Sequence, residues 1–171
     1  IVRSLGRRGI PVTAGSERRW SLGALSKYAA DRMSYPSPTA EPAAFVDALV
    51  DRLETGDYFA VLPVTDGTTA VVSRHREELA ATGTVVGAAP WAQFRTTYDK
   101  AETFALAASL DVPTPTTHAP ESLSDVEALA PDLTYPVVVK PRSKHVWDDG
   151  ERLVQHRVGG DDYAETPADL L

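Results

Sequence analysis

A chain of 171 residues can bury one good core, or one domain and part of a second, and 43% hydrophobic with 24% charged residues is an ordinary globular composition. The absence of cysteine excludes disulfides, a thiolate nucleophile and thiolate-bound metal, and a formal net charge of -7 argues against nucleic acid as the main partner, since phosphate backbones need a basic field. No apolar run approaches the roughly 20 residues of a membrane helix and the start is not signal-like, so a cytoplasmic enzyme or binding protein with no membrane partner is expected.

The charges have an uneven texture, 13 Arg to 4 Lys and 14 Asp to 10 Glu. That bias suits a salt-loving or a GC-rich source; a melting temperature indifferent to molar salt would count against salt adaptation.

The first residues, Ile1-Val2-Arg3-Ser4-Leu5-Gly6-Arg7-Arg8-Gly9, carry apolar side chains at 1, 2 and 5 and a glycine stop. They read as the second half of a helix, so a strand and its turn are expected upstream. Gly6-x-x-Gly9 is then a helix stop and not a dinucleotide fingerprint. Residues 10–14 read as a short strand and 21–30 as a helix, with the Pro- and Ser-containing stretch 34–42 as a connection. Phe45, Val46, Leu49, Val50 and Leu53 form the stripe of an amphipathic helix that packs on a sheet. Residues 58–64 are continuously apolar, as parallel strands covered on both faces are. Asp66-Gly67-Thr68-Thr69 opens a helix running to about 81, with Asp66 as its N-cap, and 84–87 is the next strand. This alternation predicts an α/β, doubly wound parallel sheet.

Composition shifts near Ala88-Ala89-Pro90, where a second unit is expected to begin. Asp99 and Glu102 have capping-box spacing ahead of a helix reaching Leu110, and Ser124 and Glu127 repeat that spacing ahead of a helix over 124–130 stopped by Pro131. Residues 135–140 then read as a strand, and 152–158 as its partner.

Two lysines 40 positions apart carry the functional reading. Lys100 opens the first of those helices, where a cation opposes the helix dipole by some tenths of a kcal/mol, up to about 1. Taken alone it is a solvated lysine; with a phosphate at the helix start the placement becomes favourable. Lys140 ends the run Tyr135-Pro136-Val137-Val138-Val139, where an ammonium needs an anion or an exit to water. The bland reading of Lys140 is an exposed strand end.

In order, Asp99-Lys100 at a helix start, the segment Val112-Pro113-Thr114-Pro115-Thr116, and Tyr135-Pro136-Val137-Val138-Val139-Lys140-Pro141 resemble the ATP-grasp superfamily. Within it the chain is similar to the carboxylate-amine ligase branch, related to biotin carboxylase and the carbamoyl phosphate synthase large subunit. The resemblance spans essentially the whole chain. It implies a Rossmann-like, parallel-sheet pre-ATP-grasp domain over 1–89 lacking its first strand, and the start of an α+β ATP-grasp domain, its lid part, over 90–171. It further implies that Lys100 and Lys140 meet the ATP phosphates, that Mg2+ accompanies the nucleotide, and that a small carboxylate and an amine are joined through an acyl phosphate. Family members often dimerise, so the resemblance is compatible with a homodimer.

The chain departs from the family's pattern after the second lysine. Many relatives have a glycine-rich loop there; here Pro141-Arg142-Ser143-Lys144-His145 follows, so phosphate contact would fall to the side chains of Arg142, Ser143 or Lys144 or to ordering of the segment by substrate, unless the segment is an ordinary hairpin with a turn at Asp149-Gly150. The adenine hinge, acidic metal ligands and catalytic lobe of the family are expected beyond Leu171. The chain by itself is therefore expected to be inactive, with no catalytic residue and no metal ligand of its own. His145, Asp148 and Asp149 have metal-ligand residue types but read as a solvated turn, and His156 as a packing or surface residue. Thr65, Asp66 and Thr68 lie at the carboxyl end of a strand, where open α/β sheets bind ligands, and are candidates for the carboxylate-substrate side. The alternative reading is a non-catalytic Rossmann-like module for a nucleotide or small acid.

Overall fold

The computed structural model describes residues 1–148, 152–155 and 162–171. Its contacts divide the chain into two units, Ile1–Ala88 with Trp147–Val154, and Ala89–Val146 with Gln155–Leu171. Helices and short strands alternate, and the class is mixed α/β.

In the first unit α1 (Val2–Gly6) leads through Gly9, which has φ 77°, into β1 (Thr13–Ser16). The helix expected over 21–30 does not form. The Ser21 hydroxyl accepts from the Ala24 N–H and the Ser26 hydroxyl from the Tyr28 N–H, giving a run of turns. Serine side chains here compete with helical backbone bonds, and Gly23 weakens the helix further. The turns deliver the chain to β2 (Asp31–Ser34), which sequence periodicity missed because this mostly exposed strand has Met33 as its one apolar residue. β2 pairs with β1 in parallel, from Thr13 opposite Asp31 to Ser16 opposite Ser34.

The stripe beginning at Phe45 forms α2 (Pro42–Thr55), with Pro42 in the first turn, where its missing N–H costs nothing, and with Phe45, Val46, Leu49 and Leu53 buried. β3 (Ala60–Val61) follows, shorter than the apolar run 58–64. Thr65, not Asp66, caps α3 (Asp66–Arg74): Thr65 and Thr68 exchange side-chain to backbone bonds at 3.3 and 3.1 Å. Replacing Thr65 with alanine is expected to cost about 1 kcal/mol, read from urea unfolding. The helix expected to reach 81 breaks at His75, which leaves helical geometry, and resumes as α4 (Arg76–Ala81).

β4 (Val85–Val86) runs parallel to β3. The Gly87 N–H donates to the Val61 carbonyl at 2.9 Å, and a Cβ at Gly87 would lie 2.4 Å from Leu62 Cδ2 and 3.1 Å from the Val61 carbonyl oxygen, so a larger residue here requires the Leu62 side chain to move. The core of the unit is Phe45, Val46, Leu49 and Leu53 of α2, Val71 and Val72 of α3, and Leu79 of α4. The expected single parallel sheet is not what forms: β1–β2 and β3–β4 are separate pairs.

In the second unit α5 (Trp91–Tyr98), not anticipated from the sequence, lays Trp91, Phe94 and Tyr98 along one face. α6 (Lys100–Ser109) begins at the Asp99 cap. α7 (Leu123–Leu129) is capped two residues earlier than expected, by Ser122 with Asp125, because the Asp125 carboxylate can return a bond to the Ser122 N–H at 2.9 Å. A 3-10 turn at Ala130–Asp132 contains Pro131. β5 (Val137–Val138) is shorter than the expected strand, and its partner is not the segment 152–158. β6 (His145–Asp148) pairs with β7 (Arg152–Gln155), while β5 pairs antiparallel with β8 (Tyr163–Ala164), followed by α8 (Pro167–Leu170). The division of the chain counts the end of β6 and most of β7 with the first unit. Residues 156–158 of the expected strand, His156 among them, lie outside the described residues.

Candidate functional site

Asp99 organises the start of α6. Its Oδ1 accepts from the backbone N–H groups of Ala101 at 2.8 Å and Glu102 at 3.2 Å, two of the donors a helix start leaves without partners. The same carboxylate receives the Arg142 fork, Nε to Oδ1 at 3.3 Å and a terminal nitrogen to Oδ2 at 3.0 Å. Burial works to raise the carboxyl's pKa, but the bonds from the Glu102 N–H, the Arg142 guanidinium and the Ala101 N–H, with the Arg142 charge, hold it below the usual carboxylate range.

Lys100 is tied to the same segment by its backbone and its side chain. Its N–H donates to the Arg142 carbonyl at 2.9 Å, and its ammonium to the carbonyls of Pro141 at 2.8 Å and Arg142 at 3.4 Å. These oxygens offset the dipole penalty of a cation in the first helical turn, a local explanation that the sequence did not offer. The two lysine-bearing segments, far apart in sequence, thus lie side by side.

Lys140 is exposed, immediately before Pro141, and among the described residues its ammonium has no hydrogen-bond or ion-pair partner. Ser143 is half-buried, and Lys144 exposed. Three of the chain's four lysines, with Arg142, therefore belong to two segments that meet at the start of α6, in a protein of net charge -7. A local basic field against an acidic background suits a compact anion rather than a nucleic acid.

Beyond this cluster the Tyr98 oxygen accepts from the His145 N–H at 3.1 Å and lies 2.7 Å from His145 Nδ1, and Phe94 stacks on Tyr98 with centroids 5.0 Å apart. Asp148 is 3.5 Å from Arg152, and Asp149 lies outside the described residues, as does Gly150 with the turn expected there. Among the described residues no three acidic or histidine side chains gather as a metal site. The bond from Arg142 to Asp99 and the contact of Tyr98 with His145 had no sequence signal, since both partners are more than forty residues apart.

Thr65, Asp66 and Thr68 belong to the first unit, at the start of α3 directly beyond β3. The two threonine hydroxyls bond each other at 2.9 Å and serve the helix cap. A cleft of about 560 Å³ in the second unit is lined by Thr117, His118, Glu121 and Asp125 among others, and contains none of the predicted site residues. No protein-family model matches this chain, and no curated protein matches it.

Proposed function

We propose that this chain supplies the phosphate-binding part of an ATP-dependent carboxylate-amine ligase of the ATP-grasp kind. The observation that carries the reading is the meeting of Lys100 at the start of α6 with the Lys140 to Lys144 segment. In this reading Lys140 and Lys144 reach the triphosphate from the strand side, and the helix start with Lys100 from the other. Arg142, oriented by Asp99, and the Ser143 hydroxyl complete the cradle.

The chemistry is electrostatic. A carboxylate oxygen attacks the γ-phosphorus, the bond to the β-phosphate oxygen breaks, and ADP leaves; an amine then attacks the acyl carbon, phosphate departs, and the nitrogen loses a proton. Fixed cations lower the cost of charge moving onto the leaving ADP. Mg2+ would accompany the nucleotide, but no described group of donors fits it, and no step is assigned to it.

Calorimetric titration of Mg-ATP into the full-length protein tests the proposal. Lys140→Ala is expected to weaken binding at least tenfold, about 1.4 kcal/mol, with an unchanged melting temperature because the side chain is exposed. Equal affinity in the two proteins would overturn the assignment. The second reading, a non-catalytic binding module, draws on the Thr65-capped helix at the carboxyl end of a parallel strand. It predicts ATP or small-acid binding that survives Lys140→Ala and is lost with Thr65→Ala.

A further inference from the structure

Tyr98 closes α5 one residue before the Asp99 cap, and packing holds its ring. It stacks on Phe94, with centroids 5.0 Å apart and planes at 24°, and the Phe94 centroid in turn lies 5.9 Å from that of Trp91. The three aromatics fall at i, i+3 and i+7, along one face of the helix. The hydroxyl at the end of this row meets His145, the first residue of β6, twice. The His145 backbone N–H donates to the Tyr98 oxygen at 3.1 Å, and His145 Nδ1 lies 2.7 Å from the same oxygen. One hydroxyl thus pins both the backbone and the ring of His145. With Asp99 on the Arg142 guanidinium and Lys100 on the Pro141 and Arg142 carbonyls, three consecutive residues hold the segment 141–145 at both of its ends.

The direction of the shorter bond decides what the imidazole can do. A backbone N–H only donates, so one lone pair of the Tyr98 oxygen is committed to it. Across the second bond either the hydroxyl donates to Nδ1, or an Nδ1–H donates to the hydroxyl. A separation of 2.7 Å is the usual length for an O–H donor, whereas N–H donors settle near about 2.9–3.0 Å. A hydroxyl that accepts from one group and donates to the next is also polarised along the chain, which strengthens both bonds. Both arguments make the hydroxyl the donor and Nδ1 the acceptor, and a neutral ring then carries its proton on Nε2. That tautomer presents an N–H on the side of the ring turned away from Tyr98. It suits an oxyanion and not a cation, which would need the Nε2 lone pair.

We infer that His145 is a further anion-binding residue, its Nε2–H donating to a phosphate oxygen of the nucleotide, and that Tyr98 is the positioning residue that fixes the ring and its tautomer. The inference rests on the proposed nucleotide site. Ser143 and His145 are half-buried whereas Arg142 and Lys144 are exposed, so the segment offers neutral donors from its sheltered side and cations from its open side. A neutral donor can sit half-buried without the desolvation cost that an ammonium would carry there. Because Tyr98 already holds the ring, little side-chain ordering remains to oppose binding.

Nitrogen NMR of the histidine rings in the full-length protein, together with calorimetric titration of Mg-ATP, tests both roles. At a pH where the ring is neutral, His145 is expected as the Nε2–H tautomer alone, and Tyr98→Phe is expected to give a mixture of the two. His145→Ala should weaken Mg-ATP binding about tenfold, the worth of a hydrogen bond to a charged acceptor, while His145→Gln, which keeps an N–H donor at similar reach, should lose less than about threefold. Tyr98→Phe should weaken binding severalfold and add nothing to His145→Ala, because it acts through that ring. An Nδ1–H tautomer in the wild type would overturn the inference and leave the proposed site standing, as would His145→Ala that binds like wild type while Lys140→Ala binds weakly. Wild-type protein that does not bind Mg-ATP would overturn both.

Discussion

Replacing Phe45 with alanine is expected to lower the unfolding free energy by about 3–5 kcal/mol, the largest single-residue loss in the first unit. The ring is 2% exposed, on the α2 face that also buries Val46, Leu49 and Leu53. It meets Tyr35 edge-on, with centroids 4.9 Å apart and planes at 77°, an arrangement that adds about 0.5–1.5 kcal/mol to the burial itself. Truncation removes both contributions and leaves a cavity in the core that Val71, Val72 and Leu79 also occupy, which closes only in part. Phe45→Leu, which keeps most of the volume, should cost clearly less, about 1–2 kcal/mol. Urea unfolding followed by circular dichroism separates the two, and equal losses would show that the site is not packed as described.

Asp99→Ala is expected to have the second largest effect, because three contacts share one carboxylate. Loss of the cap alone costs about 1 kcal/mol, and up to about 2 in well-ordered protein helices. The Arg142 guanidinium then loses its partner, and the segment from Lys140 to Lys144 loses one of its ties to α6. If the proposed nucleotide site is correct, Mg-ATP affinity falls together with stability, whereas Lys140→Ala lowers affinity alone. A variant that loses stability and binds Mg-ATP normally would separate the cap from the site.

The same carboxyl gives the stability a pH signature. Its folded pKa is depressed, against an unfolded value of about 3.9. A depressed carboxyl stabilises the fold fully above its unfolded pKa, and that stabilisation is lost as pH falls through the folded value. Wild-type protein should therefore begin to lose its advantage over Asp99→Asn as pH falls toward about 4, the unfolded value, and the two should converge once pH is below the depressed folded value. A difference that persists at the lowest pH would place the role of Asp99 in shape and not in charge. Asp31, through the Arg32 N–H and then Arg52, and Asp125, through the Ser122 hydroxyl, are depressed as well, so acid weakens these contacts in the same direction.

Elements that express a strong local pattern were legible. The Phe45 to Leu53 stripe repeats at helical spacing, and the Asp99 cap sits directly before an alanine-rich run, so both helices follow from short windows of sequence. The failures share a cause. Residues 21–30 looked helical by composition, yet serine hydroxyls bonded to nearby N–H groups turned them into loops. β2 was invisible because a mostly exposed edge strand does not need apolar alternation. Ser122 displaced Ser124 as a cap because two serines two positions apart both offered the motif, and the return bond from Asp125 decided between them.

The sequence alone determined α2 and α6, and that strands and helices alternate, because each of these depends on residues a turn or two apart. Tertiary structure decided which edges pair: β5 with β8, β1 with β2, and β1 apart from β3. It also turned the Lys100 ammonium toward Pro141 and Arg142 and gave Asp99 a second duty. A hydrogen bond joining residues more than forty positions apart forms only when the fold brings one donor to one acceptor, and no local spacing encodes that meeting.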